Sequence, residues 1–226
     1  PTPAPTITPA PTPAPTPAPT PAPTTPAPTT PAPTPAPTPA PLLRCDFDSS
    51  TCGFDYTTDY AWTRLSGSTG SSYTGPSSDH TSGSGYYMYA GSGYPGYLHD
   101  TSPFLLTSPL FGECVGSVRF YYHMYQCCFS SGSGAMGTLQ LEETIDGVSW
   151  TTIWTKSGSQ GNSWQGATVI ISTVNVIRVR WVGTTGWEYH SDMAIDDVDI
   201  LSWTNGDCIP PTPSPTTSTV PTMVPT

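Results

Sequence analysis

The chain has 226 residues, 16 Asp and Glu against six Lys and Arg, and a formal charge of -10. That balance argues against a nucleic-acid binder, whose hold on phosphates comes from Lys and Arg, and it fits an acidic surface or a cation site. Of the 29 prolines, 19 lie in residues 1–41 and six in 210–226, and neither tail carries a charge, so one folded region stands between two tails.

Residues 1–41 are nearly all Pro-Thr-Pro-Ala tetrapeptides, with a five-residue unit where Thr is doubled at Thr24-Thr25 and Thr29-Thr30. Proline at every second position removes backbone donors and fixes φ, and it pushes the preceding residue into the extended region, so polyproline II is expected. At ~3.1 Å per residue this segment reaches about 125 Å, against a radius of gyration of about 15 Å for the domain that follows. Three residues per turn against a four-residue repeat steps successive Thr hydroxyls around the axis, about 12 Å apart. The plain reading is a flexible mucin-like linker. The functional reading is a stalk carrying O-linked glycans on Thr2, Thr6, Thr12, Thr16, Thr20, Thr24, Thr25, Thr29, Thr30, Thr34 and Thr38. Residues 210–226 repeat the composition more loosely and are expected to be a second extended tail or linker.

Residues 42–209 are expected to form a single all-β domain. Short β-rich runs alternate there with Gly, Ser and Asp turns, without a sustained 3.6-residue apolar period. In chain order the strand candidates are Tyr86–Tyr89, Val118–Tyr125, Leu139–Glu142, Thr168–Ile171, Ile177–Trp181 and Met193–Leu201. Leu139 and Leu141 alternate with Gln140 and Glu142, and Ile177, Val179 and Trp181 with Arg178 and Arg180. Each pattern is that of a strand with one wet face. Two packed antiparallel sheets, a sandwich or jelly roll, follow.

Six cysteines fall within or at the edges of this domain: Cys45, Cys52, Cys114, Cys127, Cys128 and Cys208. An even number in a chain with few charges reads as disulfides in an oxidising, extracellular compartment. The spacings do not match the C-x₂₋₄-C pattern of structural zinc sites. No apolar run approaches the ~20 residues of a membrane span, and with no signal peptide ahead of Pro1 the chain is expected to be a mature protein or a fragment.

The segments CDFDSSTCGF, TGPSSDHTSGSGYYMY, VRFYYHMY, MGTLQL, SGSQGNSWQGATVII and DMAIDDVDI, in this order, closely resemble the MAM family, named for meprin, the A5 antigen and receptor phosphatase mu. The resemblance covers about Cys45 to Cys208. It implies an extracellular jelly-roll β-sandwich used in adhesion, oligomerisation and spacing, without catalysis of its own. It also implies a Cys45–Cys52 disulfide and, less directly, Cys114 with Cys208. The family usually has a Cys where this chain has Ser117, and QCCFSSGSGA is inserted after YYHMY. Cys127 and Cys128 are left for each other, for a rearranged pairing, or for a neighbouring subunit, with a local loop staple favoured.

Acids gather at motif ends, and hard oxygens from separate loops are what Ca²⁺ requires. The resemblance implies such a site, with Asp48, Asp79 and Asp197 the best matches and Asp46 and Asp196 in reserve. The bland alternative is a solvated acidic edge or Asp side chains satisfying turn amides. A hydrolytic carboxylate pair is not expected, because Asp196 and Asp197 are strand neighbours and should point to opposite faces. No nucleophile elbow or metalloprotease helix occurs either, so the chain is not expected to be an enzyme. His80 and His123 are assigned to packing or hydrogen bonding. Trp150, Trp154, Trp164, Trp187 and Tyr189 fall in or beside turns, where rings stack on sugars or on another copy, although most Trp are buried.

The expected function is a secreted structural or adhesive glycoprotein, assembled with other copies of itself into a fibre. The alternative is a carbohydrate- or protein-binding adhesion module on a mucin-like linker.

Overall fold

The computed structural model describes residues 41–56, 60–91, 103–112, 114–127, 136–186 and 189–203. The stalk threonines, Cys128, Cys208, His99 and Trp187 lie outside the described residues.

Among the described residues, ten strands form two antiparallel sheets: β1 (Pro41–Cys45), β2 (Thr63–Ser66), β3 (Tyr86–Ala90), β4 (Phe104–Thr107), β5 (Val115–Met124), β6 (Gly137–Thr144), β7 (Thr151–Ser157), β8 (Gln165–Ile170), β9 (Arg178–Thr185) and β10 (Met193–Ser202). One sheet runs β2-β3-β10-β5-β8, with β1 also on β10, and the other runs β4-β9-β6-β7. The expected two-sheet antiparallel sandwich is therefore the observed fold. No helix among the described residues is long and apolar enough to cross a membrane.

The alternation anticipated from sequence is what builds the core. Leu139, Leu141, Val179 and Trp181 are fully buried. Arg180, on the wet face of β9, pairs with Glu142 of β6 at 2.7 Å. On the other sheet Val118, Phe120, Tyr122 and Met124 turn inward, and so do Met88, Ile195, Val198 and Ile200. Aromatic rings stitch the two layers together. Trp181 lies 5.8 Å from Phe54 and 5.3 Å from Phe120, both edge-on, the geometry that ring quadrupoles favour.

β10 organises its sheet. β5 runs along one side of it, while the other side is shared by β3, pairing Met193–Ile195, and β1, pairing Val198–Leu201. Two strands thus lie end to end along one edge of β10. Pro41 sits at the start of the edge strand β1, a position where its missing N–H is tolerated.

Candidate functional site

Where β3 hands over to β1, Asp196 and Asp197 have no strand beside them on that edge, and the ladder to β5 slips between Asp196 and Asp199. Asp197 adopts φ 47°, a left-handed conformation that Asp tolerates better than most residues. The bulge turns both carboxylates toward the 79–86 loop. Asp196 Oδ2 accepts the His80 backbone N–H at 2.9 Å, and its Oδ1 accepts the Asp197 N–H at 2.8 Å. Asp197 Oδ2 lies 2.6 Å from His80 Nδ1 and accepts the Thr81 hydroxyl. Simple strand alternation, which puts neighbours on opposite faces, fails here because a bulge adds an unpaired residue.

The other acids close on the same loop. Asp79 accepts N–H groups from Ser82 (2.7 Å) and Gly85 (2.9 Å), and Asp48 Oδ1 accepts that of Tyr86 (2.7 Å). Gly85 is required at this point, since a Cβ there would run into the Asp48 carboxylate. Arg64 fixes the Asp48 turn from β2: its Nε donates to Phe47 O at 2.6 Å and Nη2 to Asp48 O, with the guanidinium 3.7 Å over the Tyr86 ring. Asp48, Asp79, Asp196 and Asp197 therefore converge on residues 79–86. Asp46 stays in its own turn, accepting the Asp48 N–H at 3.0 Å, and lines a cleft of about 350 Å³ with Arg44, Cys45, Asp197 and Asp199.

Charge is unevenly satisfied across this junction. Burial opposes ionisation of Asp79, but the Ser82 and Gly85 amides outweigh it and hold its carboxyl below the usual range. Burial pushes Asp196 up to about 7, with repulsion from Asp197 and Asp79 adding to it. Burial likewise takes Asp192 up to about 6. The Lys and Arg ion pairs among the described residues are Arg44–Asp199 and Arg180–Glu142, so neither Asp79 nor Asp196 is offset by Lys or Arg. Carboxylate oxygens from three separate segments thus meet here, and two of the carboxylates, Asp79 and Asp196, are buried. The arrangement is not a finished cage, because among the described residues no three His, Cys, Asp or Glu side chains group as metal ligands. Backbone amides hold Asp48, Asp79 and Asp196 instead, and the His80 ring and Thr81 hydroxyl hold Asp197.

The outer face of the same sheet carries a second, largely aromatic layer. His80 stacks on Tyr121 with centroids 3.5 Å apart, and Trp164 stands edge-on to His80, Tyr87 and His123 while its Nε1 donates to Ser78 O at 3.1 Å. His123 is buried, and desolvation lowers it to about 4 against a small opposing bond from Asn162. The packing and hydrogen-bonding roles assigned to His80 and His123 are the ones observed. Among the Trp candidates, Trp154 packs on Phe120 and Tyr122 and Trp150 lies under Arg180. Tyr189 is half exposed.

A groove of about 520 Å³ follows residues 68–77 and is closed by Tyr125 and Asn162. Tyr73, 59% exposed and at φ 64°, stands on its wall. Beneath, Thr74 Oγ1 lies 2.7 Å from His190 O and accepts the Asp192 N–H at 3.1 Å. Sequence reading passed over this groove. Residues 68–72 show only Ser, Thr and Gly, which look like an ordinary loop, and residues 74–77 open the TGPSSDHTSGSGYYMY segment.

Cys45 and Cys52 form a disulfide, as the resemblance implies, and Cys114 and Cys127 each take part in a disulfide. The pairings expected for Cys128 and Cys208 lie outside the described residues.

MAM domain-containing protein 2 of Mus musculus is 35% identical over 163 residues, 69% of this chain and 22% of that protein. MAM domain-containing glycosylphosphatidylinositol anchor protein 1 of Homo sapiens is 35% identical over 175 residues, 73% of this chain and 17% of that protein. The chain thus corresponds to about a fifth of the length of these relatives. Among solved structures, the K2 adhesin domain of Lys-gingipain superposes with a TM-score of 0.49 at 15% identity, covering 70% of this chain and 98% of that one. The family description "MAM domain, meprin/A5/mu" matches residues 45–209, nearly the whole folded region, and the chain belongs to the MAM family.

Proposed function

We propose that the chain is a structural, adhesive glycoprotein: a non-enzymatic MAM head on a glycan-coated polyproline II stalk, self-assembling into an extracellular fibre. The domain itself is extracellular and of an adhesion-type family, in keeping with its disulfides. The observation that carries the fibre reading is the Pro-Thr-Pro-Ala repeat of residues 1–41 joined to one compact sandwich. A backbone short of N–H donors, with hydroxyls at regular rotation, supplies length and glycan attachment, and the sandwich supplies contacts. The carboxylates also support a non-catalytic reading: Asp196 is 1% exposed and spends both oxygens on backbone amides. We further propose that the junction of Asp48, Asp79, Asp196 and Asp197 takes calcium, which would stiffen the 79–86 loop against β10.

The test is negative-stain microscopy of the full secreted chain together with intact mass before and after chemical deglycosylation. Filaments, and excess mass mapping to the stalk threonines, are the expected result. Bare, monomeric particles would sink the fibre reading.

The groove beside Tyr73 favours a second reading, a carbohydrate-binding module. A sugar ring stacked on Tyr73 would meet the Ser and Thr hydroxyls of residues 68–77. Oligosaccharide titration followed by Tyr and Trp fluorescence separates the two, since a fibre subunit needs no added ligand.

A further inference from the structure

Sheet edges attract other strands unless they are guarded by charge, proline, bulges or shortness. Most edges of this sandwich are guarded. β2 has four residues and carries Arg64. β4 has four residues, follows Pro103, and is bridged by Asp55 at Thr107. β7 faces a bulge at Leu141/Glu142 and carries Lys156. β1 begins with Pro41, carries Arg44 and has a register shift.

Among the described residues, β8 has none of these devices and no strand on its outer side. Its sequence QGATVI is uncharged and lacks proline, and its register with β5 runs unbroken from Gln165 to Ile170. Ile171 N–H donates to Gly116 O at 3.0 Å. By antiparallel alternation, Gly166, Thr168 and Ile170 therefore turn their N–H and C=O groups away from β5. All three residues are exposed, Ile170 at 62%.

We propose that the β8 edge is a self-association seam, pairing antiparallel with β8 of a second copy about a two-fold axis at Thr168. Gly166 then faces Ile170 of the other copy, and the two six-stranded sheets become one. Charge points to a second copy as the occupant. On a chain of net charge -10, most faces that meet their own copy bring acids together. Residues 147–187 contain no Asp or Glu, and their only charges are Lys156, Arg178 and Arg180. The pattern is also self-complementary, as an isologous contact requires. One strand seam is small, so the pairing is weak and reversible alone and strengthens when copies are linked. This inference rests on the self-assembly part of the function proposed above and gives it a surface.

The experiment is sedimentation velocity of the full chain over a concentration series, with Thr168→Lys, Thr168→Glu and their equimolar mixture. Like charges directly opposite across the axis repel. Each variant alone should stay monomeric to at least about tenfold higher concentration than the unaltered chain, and the mixture should pair again. Thermal melts check that both variants remain folded, and Ile170→Lys serves if either does not. If Thr168→Lys associates like the unaltered chain, or the mixture fails to re-pair, the β8 seam is wrong, while filaments in the same sample would leave the fibre reading standing. A discrete dimer without filaments would do the reverse. A chain monomeric at every concentration overturns both.

Discussion

Asp196 and Asp197, neighbours on β10, both reach His80: one takes its backbone N–H at 2.9 Å and the other its ring Nδ1 at 2.6 Å. The bulge that makes this possible depends on Asp197 at φ 47°. Asp197→Val should cost about 1–3 kcal/mol, because a β-branched residue strains in that region. Asp197→Asn keeps the conformation and should cost less. Equal losses in denaturant melts would show that the charge, and not the bulge, matters.

The buried acids should set an unusual pH profile. Asp192 and Asp196 titrate at about 6 and 7 folded against about 3.9 unfolded. The folded state then binds more protons above about pH 4, and the stability this contributes is lost as pH rises toward 7. His123, at about 4 folded against about 6.5 unfolded, works the other way, since its neutral form is favoured and stability falls as pH drops from about 6.5 to 4. Two acids outweigh one histidine, so the cation-free domain should be more stable near pH 5 than near pH 7. Asp196→Asn should flatten the slope between them. A melting temperature that climbs from pH 5 to 7 would contradict this.

Much of the sandwich was legible in the chain because burial on one face of a strand imposes period two. β6 and β9 showed it cleanly. β1 was hidden inside a proline-rich run and β2 (TRLS) carries a single large apolar residue. β7 was masked by Thr and Trp residues that read as a decorated turn. The acids were found but their directions were not. Whether Asp196 and Asp197 diverge depends on β1 and β3 meeting end to end on β10, a relation between segments some 40 residues apart along the chain that no local pattern encodes.

Removing the Cys45–Cys52 bridge should be costly, because it closes the turn that presents Asp46 and Asp48. With seven residues of separation, chain entropy puts the loss at about 2–3 kcal/mol for Cys45→Ser with Cys52→Ser. For a domain of this size the melting temperature should fall by roughly 5–10 °C. An unchanged melt would mean that Arg64 alone holds the turn.

Gly85→Ala probes the same turn from the opposite side. The added methyl would displace the Asp48 carboxylate from the Tyr86 amide, at a cost of about 1–3 kcal/mol for the orphaned donor and the strain. Gly83→Ala is a weaker control: nothing lies near its Cβ position, and its φ of 78° predicts a loss from backbone strain alone. Calcium response should fall in Gly85→Ala and persist in Gly83→Ala.

Calcium itself gives the sharpest test of the junction. A cation among Asp48, Asp79 and Asp196 would offset the repulsion and burial that now push Asp196 up, and binding only to the folded state stabilises it by mass action. Extracellular calcium modules bind in the range of roughly 0.1–1 mM. Raising Ca²⁺ from chelated to about 10 mM at pH 7.5 should therefore add about 1.5–2.7 kcal/mol, or roughly 3–10 °C. The gain should shrink toward pH 5, where Asp196 is protonated and competes with the ion. Asp79→Asn should abolish most of it while Asp46→Asn, whose side chain stays in its own turn, leaves it intact. A melting temperature indifferent to chelator at pH 7.5 would mean that the loop amides alone satisfy these carboxylates, and that the junction is a structural clasp without a metal.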